Sequence, residues 1–384
     1  MNSSDKTLRP YPTLSRRSLL KGLLTGAGSV ALGSALGTTW SAQALAADKK
    51  LSGPLMISNW PYFISPKTVP EFEKKYGVDV KYIEDINSMA GIFAKIAGPL
   101  QIGRNPDRDI VILNPWVIER LIGLKWLEPI DYSQIPNAKN LLSEYKNPSW
   151  DPHRKFSLPW ASFLTGIAYN IKKTGKELTS IEEIFDPAYR GHVGMLNDMR
   201  STLSLVFLSM GVNPSKATDA DLKKALAKIT ANVKNGQIRQ FYGNDYVSGL
   251  VRGDVWVSMA WSGDIPQVQS DNPDIRFLQN PKEGFQLNSD NMVVPIKAPH
   301  FETAMAWMNF IYDPKIYAQI AAFMKYIPPV AHTKEYIKQI DPKLVDNHLI
   351  YPTRAMLDKA YRFRTLSAKE QQKWESAFQA VMGH

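Results

Sequence analysis

Three short apolar runs end in polar and aromatic residues. Leu55-Met56-Ile57-Ser58 leads into Asn59-Trp60, Asp109-Ile110-Val111-Ile112-Leu113 into Asn114-Pro115-Trp116, and Val193-Gly194-Met195-Leu196 into Asn197-Asp198. Ligands in open parallel sheets bind beyond the carboxyl ends of strands, so these three loops are the first candidates for chemistry. Their carboxylates, amides and indoles can grip a ligand by charge, hydrogen bonds and flat apolar walls, but none is a nucleophile. The six histidines (His153, His192, His300, His332, His348, His384) show no metal-ligand spacing. There is no H-E-x-x-H, no G-x-S-x-G and no glycine-rich phosphate loop followed by Lys-Ser/Thr. The nearest dinucleotide-like turn, Gly26-Ala27-Gly28, lies outside any strand–helix context. The chain has no cysteine, which excludes disulfides, thiolate metal sites, a cysteine nucleophile and lipid attachment through a thiol. No metal and no cofactor is called for. This silence fits a binding protein better than an enzyme, although paired hydrolytic carboxylates carry no short signature.

The elements that must position these loops follow from periodicity. Leu55–Trp60 reads as a strand, Val69–Tyr76 as a helix stopped by Gly77, and Val78–Ile83 as a second strand. A helix over Met89–Ala97, the buried strand Asp109–Leu113 and a helix over Val117–Ile122 complete a βαβαβ alternation. That pattern predicts a parallel sheet with helices on both faces. Further on, Phe156–Pro159, Gly166–Asn170, Val193–Leu196, Val255–Trp261 and Asn291–Pro295 read as strands. Thr202–Met210, the Thr218-capped segment through Thr230 and Phe301–Tyr312 read as helices. Ser180-Ile181-Glu182-Glu183 and Ser367-Ala368-Lys369-Glu370 are capping boxes.

The chain has 384 residues, 44% of them hydrophobic, with 10 Trp, 16 Tyr and 15 Phe. That is enough for two cores and excludes a disordered chain. Ser15-Arg16-Arg17-Ser18-Leu19-Leu20-Lys21 is similar to a twin-arginine export signal, and the uncharged stretch to Ala47 ends in Ala44-Leu45-Ala46, an A-x-A cleavage site. The stretch is also long enough for a membrane anchor, but it is poor in large apolar residues, so cleavage is the preferred reading. Residues 1–46 are set aside as a signal. Their removal takes away five basic side chains and Asp5, leaving 41 basic against 35 acidic residues in place of 46 against 36. The remaining Lys pairs are dispersed and not interleaved with aromatics, which argues against nucleic acid. A soluble exported chain without a lipid anchor is retained behind an outer membrane, so the expected compartment is a Gram-negative periplasm.

Taken together, several segments resemble the periplasmic spermidine/putrescine-binding proteins of ABC importers. The carriers are Asn59-Trp60 after the first strand, Asp109-Ile110-Val111 leading to Trp116, Ser157-Leu158-Pro159-Trp160 with Gly166–Asn170, and Phe185-Asp186-Pro187-Ala188-Tyr189-Arg190-Gly191. Asn197-Asp198-Met199-Arg200, Met259–Asp264, Pro281-Lys282-Glu283-Gly284 with Asp290, and Tyr326-Ile327-Pro328-Pro329 continue the match in order to about Tyr351. The resemblance implies an α/β, two-lobed, type II periplasmic binding fold, each lobe a mixed, mostly parallel sheet flanked by helices. Lobe one would hold residues 51–161 and 290–330, and lobe two 165–287 and 337–384. The chain would cross near Ala161–Thr165, near Asp290 and near Tyr326–Tyr336. The implied partners are a small cationic amine and an inner-membrane ABC permease, with the protein a monomer.

The ligand-binding residues carried over by that resemblance are Trp60, Trp116, Asp198, Trp261, Asp290 and Tyr326. A second tier comprises Phe63, Asn114, Arg200, Ser201 and Asn288. Two acids and four aromatics suit ammonium groups on methylenes, each cation–π contact contributing ~0.5–2 kcal/mol. Other readings stand beside these: the Trp residues as core, Asp198 as a helix N-cap, Asp290 as a turn residue. The chain also departs from the family pattern. Ser201 stands where the family has a second acid, Asn288 where it has a tryptophan, and Tyr62-Phe63 where it has an acid and a tyrosine. Fewer acids disfavour a long polyamine and admit a diamine, a quaternary amine or a zwitterion. Arg200 either pairs with a ligand carboxylate or bridges Asp198, the bridge being preferred.

Overall fold

The computed structural model describes residues 51–269 and 271–383. The stretch read as an export signal, with its expected cleavage site, lies outside the described residues. Among the described residues no helix is long and apolar enough to cross a membrane.

The first part of the chain alternates as its periodicity requires. Strand β1 (Leu55–Asn59) leads to helix α1 (Thr68–Tyr76), β2 (Val80–Glu84), α2 (Met89–Gln101), β3 (Ile110–Leu113), α3 (Pro115–Gly123) and the short β4 (Leu127–Glu128). A fully buried 14-residue strand, β5 (Ser157–Asn170), follows. The next stretch comprises α4 (Ile171–Thr174), β6 (Val193–Leu196), α5 (Met199–Ser209), α6 (Asp219–Lys234), β7 (Ile238–Tyr242), α7 (Tyr246–Arg252), β8 (Val257–Trp261), α8 (Asp264–Val268) and β9 (Ile275–Phe277). Strand β10 (Phe285–Pro295) returns, followed by α9 (Phe301–Ile311), α10 (Pro314–Met324), α11 (Thr333–Ile340), α12 (Arg354–Asp358), β11 (Ala360–Tyr361) and α13 (Ala368–Met382). The predicted boxes at Ser180 and Ser367 both form, and Thr218 makes a third with Asp221.

The strands join in the order β2-β1-β3-β10-β5-β8-β6-β7. β1 pairs in parallel with β2 and β3, and β6 in parallel with β7 and β8. The two parallel blocks are linked through the antiparallel pair β5 and β10. The two segments expected on either side of residues 161–165 are therefore one strand. Its first half, with Leu158, Trp160, Ala161 and Phe163, packs into one core, and from Leu164 onward it packs into another. β10 does the reverse, with Phe285 in the second core and Met292 and Val294 in the first.

One expectation is corrected here. The family resemblance places residues 337–384 together in the second lobe. Ile337, Leu344 and Ile350 instead pack with the first core, whereas Met356, Leu366, Trp374 and Phe378 pack with the second. The last crossing therefore falls after Ile350. It follows the apolar stripe of α11, which is covered by α10 of the first half.

Candidate functional site

Four of the strands that point at the junction of the two halves end in candidate residues. Trp60 follows β1, Asn114 and Trp116 follow β3, Asp198 follows β6, and Trp261 closes β8. Strand pairing brings these ends together. Leu113 pairs with Asn291, so Asn114 lies opposite Asp290 on β10, and on its other side Asp290 pairs with Ala161. The pairing register shifts between Asp290 and Asn291. The extra residue is Trp160 of β5, and on β10 neighbouring side chains alternate faces, so that Asn291 accepts from the buried Arg154 at 2.9 Å while Asp290 faces elsewhere.

Asp290 is 6% exposed and accepts no hydrogen bond from any described residue. Burial pushes its carboxyl up to about 7, and the neighbouring Asp198 pushes in the same direction. The structure thus brings Asp198 and Asp290 into one electrostatic field. Asp198 is also the N-cap of α5, one oxygen accepting from the Ser201 amide at 2.7 Å. The cap reading and the site reading of Asp198 are compatible, because a carboxylate has lone pairs left after one bond.

Trp261 is the one candidate packed against both cores. Its indole N–H reaches Ser201 Oγ at 3.5 Å, and its backbone N–H donates to the Tyr246 hydroxyl at 3.0 Å. Tyr326 belongs to the first core and meets Phe63 and Phe163 edge-to-face, at 4.8 and 5.8 Å between ring centroids. Its hydroxyl is committed, donating to Asp264 Oδ1 at 2.8 Å. Tyr246 donates to the other oxygen of Asp264 at 2.6 Å. Gly263 makes this packing possible: a Cβ there would lie 2.0 Å from the Tyr326 ring. Burial raises the Asp264 carboxyl against the lowering effect of the two tyrosine hydroxyls. Asp264 and Tyr246 were not among the sequence candidates. The only signal was an acid after the glycine in Trp261-Ser262-Gly263-Asp264.

Arg200 does not make the expected bridge. No carboxylate among the described residues lies within ion-pair distance of it, so its preferred pairing with Asp198 is corrected to a longer-range attraction. The guanidinium instead lies 4.8 Å from the Trp116 ring centroid and 5.7 Å from that of Phe363, and donates to Gln371 Oε1. Because α5 packs with the second core and Trp116 with the first half, this stack spans the junction. One face of Trp116 is therefore covered by the protein itself. Burial lowers the Arg200 group to about 10, opposed by Asp198, Glu375 and Glu119. Glu119 on α3 reaches across to Thr365, a second link over the same seam. Phe63 is buried behind Tyr326, and Asn288 is half-buried on β10 with its side chain turned onto the Ser289 amide. Trp60 Nε1, Trp116 Nε1 and Asn114 Oδ1 are buried without a partner. Among the described residues no group of three His, Asp or Glu could hold a metal ion.

Residues 67–344 match the family of bacterial extracellular solute-binding proteins. The chain belongs to that family. It is 26% identical over 367 residues to the putrescine-binding periplasmic protein SpuD of Pseudomonas aeruginosa, covering 91% of this chain and 93% of that one. Its fold is similar to that of the spermidine/putrescine ABC transporter substrate-binding protein PotD of Streptococcus pneumoniae, with a TM-score of 0.73, 24% identity and coverage of 86% and 98%. It is also similar to AgtB of A. tumefaciens, solved with agropinic acid, with a TM-score of 0.65, 21% identity and coverage of 87% and 96%. The fold is the two-lobed, type II periplasmic binding fold, its halves joined here by β5 and β10.

Proposed function

We propose that this protein captures a small cationic amine between its two halves and delivers it to an ABC permease in the inner membrane, without transforming it. The observation that carries this reading is Asp290, a buried carboxylate with no hydrogen-bond donor, beside a second carboxylate and close to Tyr326. An unpaired buried charge is costly, and an ammonium group from a ligand is the counter-ion that removes the cost. The aromatic rings supply walls for methylenes and faces for the cation. The names of the relatives, putrescine- and spermidine-binding proteins, agree with this chemistry.

Within this reading Trp60, Asp198, Trp261 and Asp290 contact the ligand. Tyr326 offers its ring, and Trp116 its edge. The protein acts as a monomer, has no nucleic-acid partner, and reaches a Gram-negative periplasm by the twin-arginine route, its signal cleaved near Ala46. Closure of the halves excludes water and strengthens the carboxylate–ammonium contacts. A thermal-shift screen of the purified protein tests the reading. Putrescine or a related short amine should raise the melting temperature. A panel of short and long amines that leaves it unmoved contradicts the proposal.

A further inference from the structure

The proposed amine site holds hydrogen-bond donors that an amine cannot use. An ammonium group only donates. Yet the indole N–H groups of Trp60 and Trp116 are both closed to solvent and have no acceptor. Their loops are adjacent, because β1 and β3 pair in parallel at Ser58 and Val111 and end side by side. Arg200, 9% exposed, stacks on Trp116 and spends one N–H on the neutral Gln371 amide oxygen. A guanidinium lying over an indole face keeps its N–H edge free for bonds in its own plane. The acceptors gather elsewhere in the same site: Asp290 without a donor, Asp198 with one oxygen committed, and the unpartnered Oδ1 of Asn114 (8% exposed) opposite Asp290.

We propose that the ligand is bipolar, with an ammonium group held at Asp290, Asp198 and Asn114 and a carboxylate or carbonyl group held by the Trp60 and Trp116 indole N–H groups and Arg200. The inference rests on the amine reading above and narrows it to amines that carry an acceptor at the far end. A second ammonium placed there would face a guanidinium and two N–H donors. Glu119 and Glu375 also act on Arg200, but each is engaged elsewhere, Glu119 with Thr365 and Glu375 with Gln371 and Gln379. They moderate the positive field at Arg200 without contacting it.

Titration calorimetry of the purified protein with 4-aminobutanoate, putrescine and 4-aminobutanamide tests this. The first two differ mainly in whether the far end is an anion or a cation. The expected result is binding of 4-aminobutanoate at least about tenfold tighter than putrescine, with the neutral amide between them. Trp116→Phe, which keeps the ring and removes the N–H, and Arg200→Gln should each cut that preference to less than about threefold, by weakening 4-aminobutanoate more than putrescine. Putrescine equal to or tighter than 4-aminobutanoate overturns the inference and leaves the amine reading standing. Equal weakening of both ligands in the two variants also overturns it, because the residues then act on closure alone. If none of the three binds, the amine reading itself falls and takes the inference with it.

Discussion

Two buried aspartates near the junction of the halves have opposite surroundings. Asp264 is 8% exposed and Asp290 is 6% exposed, and burial raises the carboxyl of each. Asp264 accepts from two tyrosine hydroxyls, at 2.6 and 2.8 Å, one from each core. Asp290 accepts from none of the described residues, and its closest electrostatic neighbour is another carboxylate. The first is a satisfied group that ties the halves together. The second is an unsatisfied group, which the proposed amine would pair. Burial alone does not mark a binding residue; burial without a partner does.

The sharpest way to break this comparison is Asp290→Asn. Removing one partner of a buried charge pair costs about 2–5 kcal/mol, so amine affinity should fall roughly 30-fold or more by calorimetry while the fold is retained. Unchanged affinity would remove Asp290 from the site. Asp264→Ala should show the converse. It leaves two buried tyrosine hydroxyls without their acceptor and opens the contact between halves, so stability should fall by about 2–4 kcal/mol in chemical denaturation. A stability loss near zero would mean that the two tyrosine bonds tie nothing together. Trp261→Leu comes next: loss of a cation–π face predicts amine binding weaker by about 2- to 30-fold. Binding as tight as that of the unaltered protein would make Trp261 a packing residue only.

The smallest effect is on the ligand-free protein. The Asp290 carboxyl is raised in the folded state, so the folded protein holds that proton more tightly than the unfolded chain does. This contribution to stability is fully present below the unfolded carboxyl value of about 4 and is lost as pH rises through about 7. Asp290→Asn should therefore raise the melting temperature at pH 8 by a few degrees and leave it nearly unchanged at pH 4. A drop at pH 8 would mean that Asp290 has a partner in the ligand-free protein.

Much of this was legible in the sequence, for identifiable reasons. The apolar runs at Leu55, Ile110 and Val193 are bounded by turn residues, so both the strands and the loops at their ends could be read. β5 reads as two pieces in the sequence because Ala161–Thr165 shows no alternation. That segment is buried on both faces as it passes from one core to the other, so polar–apolar alternation has no cause there. β7 escaped because Arg239 and Gln240 are exposed in its middle. The pairing of Asp198 with Asp290 rested on the resemblance, since nothing local links residues so far apart. The Asp264 contact was illegible, because its two donors come from α7 and from the loop after α10. Arg200 was placed beside Asp198 correctly in sequence but not in space, because the indole of Trp116 offers it a face across the junction.

The claim that Asp290 meets the ligand's ammonium group is tested most directly by proton release. With its carboxyl near 7, Asp290 is largely protonated at pH 6.5 in the free protein and must ionise to meet a cation. Calorimetry of amine binding at pH 6.5, in two buffers of different ionisation heat, should register release of roughly half a proton or more per amine bound, and Asp290→Asn should abolish that release. Amine binding with no proton released at that pH, or with the same release from Asp290→Asn, would contradict it.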